Sequence, residues 1–170
     1  MDQPFLDPTT LLNPVDVNQV QRTEKFLVFA LGKLNLALSV DRVEKILNYT
    51  AIHSSGTTAT GIIHLEDRSV TVLDLHRRLF NVSQPPLVKG RQFLILAKNS
   101  QGESFALLVN ETPTLMDIPI AQIRILPDSY RQSDTLFCAS HVMIVQQKEQ
   151  SFTVFLLDSD RLVSSVANLI

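Results

Sequence analysis

One order of elements is written twice along this chain, and that repeat restricts the fold more than any other feature. In the first copy the apolar run Phe26-Leu-Val-Phe-Ala-Leu31 stops at Gly32-Lys33. After it Leu34, Leu36, Leu38 and Val40 alternate with Asn35, Ala37 and Ser39. Two such runs joined by a two-residue break predict a β-hairpin. Gly61-Ile-Ile-His-Leu65 and Val70-Thr-Val-Leu73 predict a second strand pair around Glu66-Asp67-Arg68. Asp74 precedes Leu75, Leu79 and Phe80, where its carboxylate would accept backbone N–H groups as the N-cap of a helical turn. In the second copy Phe93-Leu-Ile-Leu-Ala97 answers the first run and Phe105-Ala-Leu-Leu-Val109 answers Leu34 to Val40. Phe152 to Leu157, then Asp158, then Arg161, Leu162 and Val163 answer the last strand, its cap and its helix. Each copy is about 70 residues long, so the expected fold is mainly β, a pseudo-symmetric pair of barrels or sheets with short helical segments. Neither copy holds much core alone, so each should lean on the other.

Between the two strand pairs of the first copy the period changes. Val43, Ile46 and Leu47 recur at helical spacing, and Asp41 with Glu44 three residues on fits a capping box. A short helix capped by Asp41 is predicted there. Residues 1–22 carry Pro4, Pro8 and Pro14 among polar residues and read as a tail, with Phe5, Leu6, Leu11 and Leu12 available to dock locally. The expected organisation is therefore a tail over 1–22 and one domain over 23–168, with a first β subdomain at about 24–88 and a second at about 90–165.

Charge and cysteine content narrow the function. Fifteen Lys plus Arg against 17 Asp plus Glu give a net charge of −2, with no basic surplus to drive binding to nucleic acid or anionic lipid. The single cysteine, Cys138, leaves no intrachain disulfide and no CxxC pair, and its apolar neighbours Leu136, Phe137 and Ala139 predict a buried, inert thiol. No apolar run reaches the length of a membrane span or a signal h-region, so a cytoplasmic protein without direct membrane insertion is expected.

The search for reaction chemistry yields no assembled site. His53, His64, His76 and His141 stand in no HxH or HExxH spacing and read as solvent-facing or structural; His64, on one strand face with Ile62 and Glu66, is placed to touch a partner. There is no G-x-S-x-G elbow, and the Ser54 to Gly61 segment lacks the Lys-Ser/Thr of a phosphate loop. Asp74 and Asp158 are better explained as caps than as a catalytic pair. No enzyme activity, cofactor or metal is expected, which leaves protein binding by elimination. A small-ligand sensor or hydrolase on a double barrel would need convergent polar groups that the sequence does not offer.

Phe26-Leu-Val-Phe-Ala-Leu-Gly32, Val40-Asp-Arg-Val43-Glu-Lys-Ile46, and Gly61-Ile-Ile-His-Leu65 leading to Val72-Leu-Asp-Leu75 together resemble the CheW family of chemotaxis coupling proteins over about residues 24–165. The resemblance implies two five-stranded, SH3-like barrels related by pseudo-symmetry and no enzymatic activity. It also implies a cytoplasmic adaptor, recruited to membrane-associated receptor arrays, that joins the chemoreceptor cytoplasmic tip to the regulatory domain of a CheA-type histidine kinase. Carried over by position, Val40, Val43 and Ile46 are the apolar residues against which a receptor tip would pack; as apolar residues of a short helix they would equally serve as core. The family's Asn-Leu-Arg-Gly turn reads His64-Leu65-Glu66-Asp67 here, and its acid before the isoleucine reads Lys45, with Glu44 adjacent. Glu66 and Asp67 thus reverse a local charge and can redirect partner choice. The alternative is a divergent CheW-like scaffold that has lost receptor coupling and recruits another motility or signalling partner.

Overall fold

The computed structural model describes residues 22–54, 58–82, 91–132 and 136–167. The first repeat comprises β1 (Thr23–Leu31), β2 (Leu34–Ser39), β3 (Val43–Asn48), β4 (Thr60–His64), β5 (Ser69–Leu73) and α1 (Leu75–Phe80). The second comprises β6 (Phe93–Lys98), β7 (Ser104–Val109), β8 (Thr114–Pro119), β9 (Ile123–Ile125), α2 (Asp128–Arg131), β10 (Ala139–Gln147), β11 (Gln150–Leu157) and α3 (Ser159–Ala167). The molecule is mainly β. Of the predicted tail, residues 1–21 lie outside the described residues; the Arg22 carbonyl accepts the Ile120 N–H at 2.9 Å.

The repeats are sequential, but the sheets are not. One sheet runs β8-β1-β2-β11-β10-β9 and the other β3-β6-β7-β5-β4, so each repeat lends its leading hairpin to the sheet that holds the rest of the other. The pairings match across the exchange: β3 lies antiparallel to β6 as β8 does to β1, and β5 lies parallel to β7 as β11 does to β2. The first sheet has six strands where five were expected, because three-residue β9 extends it beyond β10.

Period-two side chains on the exchanged hairpins divide between two cores. Leu27, Phe29, Leu31, Leu36 and Leu38 of β1 and β2 meet Ile95, Phe105 and Leu107 of β6 and β7 in a buried cluster that also takes Leu75 and Leu162 from the helices. The opposite faces close smaller cores within each sheet, around Phe26, Val28 and Met143 in one and Ile63, Leu94 and Leu96 in the other. At about 0.8 kcal/mol per buried CH₂, the shared cluster is the main force holding the two sheets together.

α1 and α3 each reach the hairpin turn of their own repeat, which lies in the other sheet. The Asp74 side chain accepts the Arg77 N–H at 3.1 Å and starts α1, whose Phe80 and His76 lie over Gly32 in the β1–β2 turn. Gly32 has φ 58°, so the turn needs its freedom, and an added Cβ would stand 3.2 Å from Phe80. Asp158 Oδ1 accepts the backbone N–H groups of Asp160 and Arg161 at 3.0 and 3.2 Å at the start of α3. Asp160 then accepts both the N–H and the hydroxyl of Ser100, in the β6–β7 turn, at 2.8 Å.

The predicted helix after Asp41 is absent. Val40–Arg42 form one 3-10 turn, Ser39 rather than Asp41 supplies the capping oxygen, and Val43–Asn48 continue as a strand. Helical spacing misled here because a β-bulge falls between Val43 and Lys45. The extra residue puts side chains three apart on one face, as a helix would.

Candidate functional site

The bulge determines what β3 presents. Val43 pairs with Ala97 and Ile46 with Ile95, so both face the same side as the core shared by the two sheets. Val43 packs against that core, whereas Ile46, on the outermost strand of its sheet, stays 42% exposed. Val40 is half-buried in the turn just before them. Val43 thus packs into the core while Ile46 stays exposed on the edge strand.

A polar ring fixes the start of this edge. Glu44 takes Arg68 at 2.7 Å through one carboxylate oxygen and the Ser104 hydroxyl at 3.0 Å through the other, while Arg68 also donates to Ser104 Oγ at 2.8 Å. These residues come from β3, the β4–β5 turn and β7, so the ring spans the end of β6 lying between. Burial raises the Glu44 pKa, but the hydrogen bonds from Arg68 and Ser104, with the charges of Arg68 and Lys98, outweigh it and hold the carboxyl below the usual glutamate range.

This ring changes the reading of the β4–β5 turn. Glu66 and Asp67 are exposed at its tip, closed by the Leu65 N–H to Arg68 carbonyl bond at 2.8 Å, but the cation missing at 66 stands at 68 and reaches an acid on β3. No sequence signal joins Arg68 and Ser104 to Glu44, because nothing local links positions 44, 68 and 104. His64 lies on β4, at the other edge of the sheet, exposed and hydrogen-bonded through Nδ1 to Ser69 Oγ at 2.8 Å. By register it lies on the sheet face of Val43 and Ile46, but at the opposite edge from them. Leu115 was also missed. It faces Leu27 from the outermost strand β8 and is 59% exposed, so it occupies in the second repeat the place Ile46 holds in the first. The repeat itself carried that signal.

Among the described residues no group of three or more His, Cys, Asp or Glu is placed to hold a metal, and no helix is long and apolar enough to cross a membrane. Cys138 is buried, and burial pushes its thiol up to about 12, well outside the range of a reactive cysteine.

Residues 25–167 match the CheW-like domain family. Among solved structures, the scaffolding protein TtCheW from Thermoanaerobacter tengcongensis superposes with a TM-score of 0.64 at 17% identity, over 83% of this chain and 88% of that one. A likeness at that identity is one of fold. No match is found among curated protein sequences. With the exchanged hairpins and the family match covering nearly all of both repeats, the chain belongs to the CheW-like domain family, a family of scaffold and adaptor proteins of chemotaxis signalling.

Proposed function

We propose that this protein is a non-catalytic adaptor of a bacterial chemosensory pathway, coupling a chemoreceptor cytoplasmic tip to the regulatory domain of a CheA-type histidine kinase at receptor arrays on the cytoplasmic side of the membrane. The observation that carries the reading is the bulged edge strand that holds Ile46 out beside a half-buried Val43 packed on the core, supported by the Glu44–Arg68–Ser104 ring. A helical tip binds through a few apolar anchors set in rigid surroundings, and this edge supplies one. In this reading Ile46 makes the contact, with half-buried Val40 and Val43 behind it, and His64, Glu66 and Asp67 lie on a separate flank.

The test is titration of the intact chain with a purified receptor-tip fragment and, separately, with the kinase regulatory domain. Ile46→Asp should weaken receptor binding by about 2 kcal/mol or more, because it places a carboxylate in an apolar contact. Its circular dichroism should stay native, since the side chain is exposed. Unchanged affinity for both partners removes this edge from the interface. The exposed acids Glu66 and Asp67 favour the second reading, a divergent scaffold with a basic partner. Under it, Glu66→Arg weakens binding of the native partner and the loss shrinks as salt rises.

A further inference from the structure

We propose that His53 and His64 form a two-imidazole site for a late first-row transition-metal ion on the outer face of β4. The two residues are eleven apart in sequence, and the backbone brings them together. His53 and Ile62 exchange both backbone hydrogen bonds, at 2.9 and 2.8 Å, as a directly opposed antiparallel pair. Opposed residues share a face, and His64, two along from Ile62, is the diagonal neighbour on that face. The ring centroids stand 5.3 Å apart with the planes tilted by 45°, and both residues are exposed.

Three features suit the pair to a metal. His64 Nδ1 lies 2.8 Å from Ser69 Oγ, and with Nδ1–H donating to that hydroxyl, Nε2 keeps its lone pair and the ring is held in orientation. Two nitrogens bound at about 2.0–2.1 Å to a tetrahedral ion lie roughly 3.4 Å apart, within reach of rings at this spacing after small rotations. Gly61 makes the approach possible: a Cβ there would stand 2.4 Å from Ile52 Cγ2 and 3.2 Å from the His53 carbonyl, so a larger residue would push the His53 segment off β4. Imidazole suits Cu²⁺, Ni²⁺ and Zn²⁺, with Cu²⁺ and Ni²⁺ bound more tightly than the earlier metals of the row. No third protein ligand stands beside the pair among the described residues. The ion would be exchangeable, with its outer positions open to water or to a ligand from a docked protein.

The test is calorimetric titration of the full, untagged chain with Ni²⁺, repeated with Zn²⁺, near pH 7.5. One saturable ion per chain is expected. His53→Gln and His64→Gln should each weaken it at least tenfold, and His141→Gln should leave it unchanged. With paramagnetic Ni²⁺, the imidazole proton signals of His53 and His64 should broaden first. Absence of saturable binding, or binding that survives both His53→Gln and His64→Gln, overturns the proposal.

Discussion

Removing the Glu44–Arg68 pair by a double-mutant cycle tests whether the start of β3 is actively held. The contact is short, 2.7 Å, but the side chains are 23% and 40% exposed, so solvent screens most of the Coulomb attraction. Exposed pairs contribute about 0.2–1 kcal/mol, and the Ser104 hydroxyl, bonded to both partners, places this one near the top of that range. A coupling of about 1 kcal/mol is therefore expected between Glu44→Gln and Arg68→Met, measured by urea unfolding at pH 7. Because the folded-state pKa of Glu44 is lowered, the stabilisation is fully present above the ordinary glutamate range. It is lost as pH falls through the lowered folded value. The coupling should vanish on acidification and shrink in high salt. A coupling under about 0.2 kcal/mol at pH 7, or one that persists after Glu44 is protonated, refutes the idea that this ring secures the edge carrying Ile46.

Gly61→Ala should destabilise the fold by roughly 1–3 kcal/mol, read from chemical unfolding, because the new methyl meets the branched Ile52 side chain and the His53 backbone. Cys138, buried and with its pKa near 12, should resist a thiol reagent at pH 8 and react at full rate only in denaturant; prompt labelling of the native chain contradicts the packing described. The backbone and side-chain hydrogen bonds from Ser100 lower the Asp160 pKa, so the clasp between α3 and the β6–β7 turn holds above the ordinary aspartate range. It should open as pH falls through the lowered value, seen as faster amide exchange at Ser100.

The hairpins and caps were legible because their signals are local. Gly32-Lys33 marks a turn between two apolar runs, and Asp74 and Asp158 each stand one residue before a helix. The strand β3 was not, since its bulge gives Val43 and Ile46 a helix-like spacing that a single sequence cannot tell from the real one. β8, β9 and β10 went unnoticed for another reason. Leu115, Asp117 and Pro119 interrupt one pattern, β9 has only three residues, and exposed Gln146 and Gln147 dilute the last. Contacts such as Glu44 with Arg68, or His53 with His64, arise only from sheet register, so no spacing rule reveals them.

The exchange of leading hairpins gives the chain the architecture of a swapped dimer whose two protomers have been fused. A polypeptide ending after α1 would carry β1 and β2 without β8 and β11, the strands that flank them, and β3 and β5 without the β6–β7 pair between them. Two such fragments, 22–82 and 91–167, should each remain unfolded alone and reconstitute one native unit when mixed, by complementation rather than by docking of preformed halves. By the same logic the first half of one molecule can be completed by the second half of another with every strand pairing intact, so the covalent joint between the repeats, and no contact in the sheets, is what keeps the unit closed on itself.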